Sequence, residues 1–123
     1  MPGQPPEFAT AAAGLLSLQV CGEYESPEVK GSTAWLSRKE VSTRLQWFYY
    51  GMYYYAQGMQ KREPAVAGKA KQVTEDVLLK LQLADGSWDG HDGMERGAGR
   101  IYCTALAMLS LSVKYHYLPI YQH

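Results

Sequence analysis

The run Asp85-Gly86-Ser87-Trp88-Asp89-Gly90-His91-Asp92 is the stretch whose residue types and spacing come closest to a chemical site. Oxygen-bearing side chains at its first, third and fifth positions and glycine at its sixth repeat the opening of a calcium-binding loop. The pattern then lapses. The eighth position, which should be apolar, holds Asp92, and the twelfth, which should be a bidentate Glu, holds Arg96, with Glu95 one place early. Solvated or helix-capping carboxylates are the expected reading. Zinc requires thiolates and imidazoles that converge on one point, whereas Cys103 and His116 stand thirteen positions apart on and just beyond one expected helix. No metal, cofactor or catalytic residue is expected. Cys21 and Cys103 lie in separate apolar contexts without a CxxC pairing, so both are expected as buried thiols.

A second candidate is aromatic. Trp47-Phe48-Tyr49-Tyr50-Gly51-Met52-Tyr53-Tyr54-Tyr55 is rich in residues of high β propensity, yet its length and lack of strict alternation favour a helix from Thr43 to about Lys61. On such a helix Trp47, Tyr50 and Tyr54 share one face. They would either form a contact surface or pack between helices with their hydroxyls at the rim.

The rest of the chain supplies the elements that would hold these residues. Phe8 to Val20 is apolar almost all round, as expected of a helix surrounded by others. Ser26-Pro27-Glu28 reads as a helix start, with a hydroxyl cap, proline at the first position and an acid at the positive helix end, and the helix should run to about Arg38. Pro64 opens another helix, whose stripe of Val73, Val77, Leu78 and Leu81 marks it as amphipathic, and Asp85-Gly86 should stop it. Asp85 to Gly99 holds five glycines and is expected as a loop, followed by a last apolar helix from Arg100 to about Tyr115. Inner and outer helices thus alternate, which predicts an all-α chain of antiparallel helical hairpins with about five helices. Leu16-Ser17-Leu18-Gln19-Val20 matches Leu109-Ser110-Leu111-Ser112-Val113, which would give the first and last inner helices equivalent places in a repeating array.

Leu78-Leu79-Lys80-Leu81-Gln82-Leu83-Ala84-Asp85-Gly86-Ser87-Trp88 resembles the QW motif of squalene–hopene cyclases and related triterpene cyclases, whose core is an aliphatic residue, three positions, Gln, a short turn, Gly, any residue and Trp. Gln82 at a helix end can bond exposed backbone groups, Gly86 permits a tight reversal, and Trp88 can fold back on the amide. Trp47 to Gln57 is similar to an inner helix of the wider squalene–hopene cyclase and protein prenyltransferase repeat family. Tyr102-Cys103-Thr104-Ala105-Leu106-Ala107 onward to Tyr121 is similar to the last inner helix and tail of its bacterial members. The resemblance spans most of Ala9 to Gln122. It implies one incomplete α/α-toroid segment over 1–123, with 1–7 flexible, and it would turn Trp47, Tyr50, Tyr54 and Tyr102 toward an interface or an apolar cavity suited to a polyprenyl or terpenoid ligand. The sequence departs from the family where an aromatic residue usually precedes the aliphatic one and Val77 or Glu75 stands instead. It contains neither the Asp-x-Asp-Asp acid motif of the cyclases nor an Asp-x-Cys zinc motif. Cys21-Gly22-Glu23-Tyr24 is similar to the thioester motif of complement-like proteins, but Tyr24 stands where the bond needs Gln.

Composition narrows the partners. The 123 residues are 46% hydrophobic, enough for a core in one domain, and 12 basic residues balance 12 acidic ones, so nucleic acid is not an expected partner. No stretch reaches the roughly 20 apolar residues of a membrane span. Met1 to Glu7 lacks the basic region of a secretory signal. Two and a half hairpins fall short of a closed toroid, so the inner-helix face would need cover from self-association, a partner chain or further chain upstream. The expected function is a non-catalytic helical-repeat module for protein interaction or self-association. The alternative is a piece of a terpenoid cyclase or prenyl-binding enzyme with its acid elsewhere.

Overall fold

Helix α1 (Phe8–Val20) ends where Gly22, at φ 95°, turns the chain back, so that its N–H meets the Gln19 carbonyl at 2.9 Å and the N–H of Glu23 meets that of Leu18 at 2.9 Å. Both bonds satisfy carbonyls that a helix end would leave bare. Helix α2 (Pro27–Arg38) starts as its sequence dictates, with the Ser26 hydroxyl accepting from the Val29 N–H at 3.3 Å. Then follow α3 (Phe48–Gln60), α4 (Pro64–Leu81), α5 (Gly93–Ala98) and α6 (Arg100–Ser112). The computed structural model describes residues 8–113, and among them all regular structure is helical, so the chain is all-α. The expectations for residues 1–7, for His116 and for the family-like tail lie outside the described residues.

Three expectations are corrected. The third helix starts at Phe48 and not near Thr43, because Ser42 ties residues 42–45 into turns and Trp47 takes a left-handed backbone (φ 54°) that a helix cannot contain. The glycine-rich stretch from Asp85 to Gly99 is not all loop, since Asp92 caps α5 through its Oδ1, 2.6 Å from the Glu95 N–H. Cys21 is exposed, because it sits past the last turn of α1 with its side chain outward, whereas Cys103 is buried as expected.

Helix α3 is the centre of the fold and packs against α1, α4 and α6; α2 packs on α1, and α4 also touches α6. Helices α1 and α3 run parallel in register. Phe8 at the start of α1 meets Tyr55 with ring centroids 5.5 Å apart, while Gln19 at its end donates to the Gly58 carbonyl at 2.9 Å. The same ends are clamped by Arg62, whose largely buried side chain donates to Gln19 Oε1 at 3.3 Å and to the Tyr24 carbonyl at 2.9 Å. Helix α6 also runs beside α3 in the same direction. Its N-terminal half meets the start of α3 through Glu95 and Tyr102, and its Ser110 and Leu111 border a cavity of about 20 Å³ with Ala56 and Gln60 near the end of α3. The result is a row, α1–α3–α6, with α2 packed on α1 and α4 on α3 and α6. Phe8, Leu15, Val29, Leu36, Phe48, Met52, Met59, Leu78 and Trp88 belong to one buried core. Each such side chain contributes about 2 kcal/mol by leaving water.

Candidate functional site

The densest meeting of polar groups lies at the start of α3. Glu95 is fully buried, and its two carboxylate oxygens accept the backbone N–H groups of Tyr49 and Tyr50, each at 3.0 Å, and the hydroxyl of Tyr102 at 3.1 Å. Asp92 Oδ2 accepts the Trp47 N–H at 2.8 Å. No Ser, Thr, Asp or Asn stands at the head of α3 to cap it, so α5 supplies both carboxylates across the fold, where the positive end of the helix dipole favours them. The Tyr49 hydroxyl donates to the Asp89 carbonyl at 2.9 Å and lies 3.2 Å from His91 Nε2, and the His91 ring stacks on Tyr49 at 5.9 Å. Gly90 is required beneath this cluster, because a Cβ there would strike the backbone of Glu95 and Arg96.

The electrostatics follow from burial beside carboxylates. The Cys103 thiol is pushed up from 9.0 to about 11, first by burial and then by Glu95, Asp89 and Asp92. Burial, with Cys103 and Glu95 nearby, raises the Tyr49 phenol well above its usual 10.0. Tyr102 is raised in the same sense by burial and by Glu95, and Tyr55 reaches about 12 through burial alone. A thiol held protonated is a poor nucleophile. The four carboxylates of the segment are engaged locally: Asp85 with Ser87 and Arg100, Asp89 with the Gly90 N–H and Arg100, and Asp92 and Glu95 with helix ends. Among the described residues no three His, Cys, Asp or Glu side chains form a group that could hold a metal ion.

Gln82, Gly86 and Trp88 come together at the end of α4. Gln82 Nε2 donates to the Gly86 carbonyl at 3.0 Å, and Gly86 sits at φ 90° in the reversal. Trp88 folds back and is buried, with its indole N–H donating at 2.8 Å to the carbonyl of Leu78, one of those α4 leaves open at its last turn. The Trp88 N–H meets Thr104 Oγ1 at 3.0 Å, which joins this turn to α6.

The aromatic candidates gather on one side. Trp47 caps α3 from outside the helix, yet its ring still contacts Tyr50 edge-on at 6.3 Å, and Tyr50 contacts Tyr54 at 4.9 Å. Tyr102 joins them through Glu95, which also holds the Tyr50 N–H. Trp47 and Tyr50 are 36% and 39% exposed, while α3 buries Phe48, Tyr49, Met52, Tyr55 and Met59 instead. Elsewhere α6 leaves Ile101 88% and Met108 57% exposed along an open groove of about 380 Å³ lined also by Ser87, Arg100, Thr104 and Ala105. Glu95 and this α6 face were missed from sequence. Asp92-Gly93-Met94-Glu95 has the spacing of a capping box and marks a helix start, but nothing local says that Glu95 reaches another helix.

No known family, curated protein or solved structure matches this chain.

Proposed function

We propose that this chain is a non-catalytic helical-repeat module that binds protein, a copy of itself included, through the uncovered side of its inner row. The observation that carries the reading is the bare face of α6, where Ile101 and Met108 stand in solvent beside an open apolar groove. Contiguous apolar surface of this kind marks interaction sites. The engaged carboxylates and the protonated Cys103 favour a structural role over chemistry. The parallel row α1–α3–α6, with α2 packed on α1 and α4 on α3 and α6, is what a segment of an α/α-toroid would present, and that supports the family resemblance. A second reading draws on the run Trp47–Tyr50–Tyr54, whose faces suit a terpenoid or polyprenyl chain. Native mass spectrometry of the gently purified chain separates the two. Assemblies of two or more chains without added mass are expected; a monomer carrying a lipid-sized adduct would favour the apolar ligand.

A further inference from the structure

The two ends of the row are unlike, and they complement each other. Helix α1 buries Phe8, Ala12, Leu15 and Gln19, spaced four, three and four residues apart, on the side it turns to α3. Glycines receive the large members, since a Cβ at Gly51 would stand 2.7 Å from the Phe8 ring and one at Gly58 3.3 Å from Leu15. The opposite side of α1 carries small residues in solvent, Thr10, Gly14 and Ser17, and a Cβ on Gly14 would meet nothing within 4 Å.

Helix α6 repeats this arrangement position for position. Cys103, Ala107 and Ser110, the counterparts of Thr10, Gly14 and Ser17, are its buried residues. Ile101, Ala105, Met108 and Ser112, the counterparts of Phe8, Ala12, Leu15 and Gln19, are partly or fully exposed. Inside the chain, large residues of α1 pack on the glycines of α3, and Tyr49 of α3 lies against the small side of α6 near Cys103. Among the described residues the row therefore ends with an exposed large face on α6 and an exposed small face on α1.

We propose that a second copy of this chain covers the α6 face with its α1. Thr10, Gly14 and Ser17 of one copy seat on Ile101 and Met108 of the next, head to tail, and so continue the interface that the chain already builds between its own helices. The proposal rests on the interaction-module reading and names its partner and contact. The charged residue lining the α6 groove is Arg100, and it is already paired with Asp85 at 3.3 Å and Asp89 at 3.7 Å, so closure buries no lone charge. An interface between unlike surfaces adds copies until a ring closes or a filament grows.

Sedimentation velocity of the wild type, Met108→Glu, Gly14→Leu and an equal mixture of the two variants tests this. The wild type should assemble with concentration, and each variant alone should be monomeric with an unchanged helical circular dichroism spectrum. The mixture should form two-copy particles and nothing larger, because one variant keeps a sound α1 face and the other a sound α6 face. Ile101→Lys and Ser17→Arg, also at exposed positions, repeat the test if either first variant fails to fold. A monomeric wild type, self-association of Gly14→Leu, or a mixture that stays monomeric overturns the proposal. Assembly that survives both end variants but is lost on Tyr50→Ser would overturn it too, while leaving the broader interaction reading in place.

Discussion

Glu95 holds the first free N–H groups of α3 and the hydroxyl of Tyr102 from a position without solvent contact. Glu95→Ala strands the buried Tyr49 N–H, removes the acceptor of the half-buried Tyr50 N–H and Tyr102 hydroxyl, and should cost about 3 kcal/mol in urea unfolding. A cost below about 0.5 kcal/mol would show that the head of α3 does not depend on it. Cys103 gives a second residue-scale test. Its folded pKa lies above the unfolded value, so the folded chain keeps a proton that the unfolded chain releases, and unfolding becomes easier as pH rises from 9 toward 11. Tyr55 extends the same loss from 10 to about 12. The unfolding midpoint should therefore hold steady up to about pH 9 and fall beyond it, and Cys103→Ala should lack the first part of the fall. Thiolate absorbance of buried Cys103 appearing near pH 9 in the folded protein would contradict this. The sequence alone placed Cys103 inside but misplaced Cys21, because apolar neighbours do not reveal that a residue stands one step past a helix end.

At the scale of elements, local chemistry made most of the fold legible. Ser26-Pro27-Glu28 announces α2, Pro64 opens α4, and the apolar runs mark α1 and α6. The start of α3 was not legible, since its cap comes from residues more than forty positions away and its N-cap is a tryptophan in a left-handed conformation. The turn after α4 was legible in its residues, though the bond that fixes Trp88 goes to Leu78 and not to the Gln82 side chain. Trp88→Ala removes a buried ring and the donor to an open helix carbonyl, so it should cost about 3 kcal/mol or somewhat more. Trp88→Phe keeps most of the volume and should recover all but about 1 kcal/mol of this. Equal losses for both variants in thermal unfolding would assign the whole effect to the hydrogen bond.

The described residues form an all-α array in which α3 packs between α1 and α6, α2 packs on α1 and α4 on α3 and α6, while Ile101 and Met108 of α6 stay exposed. Hydrophobic periodicity sorts inner from outer helices but cannot say which inner face a neighbour covers, which is why the exposed Ile101 and Met108 emerged only from the assembled chain. Among the described residues no helix is long and apolar enough to cross a membrane. The mass of the native particle tests the interaction reading most directly. Particles of two or more chains with no additional mass are the expected result; a strictly monomeric particle carrying a lipid-sized molecule would contradict it.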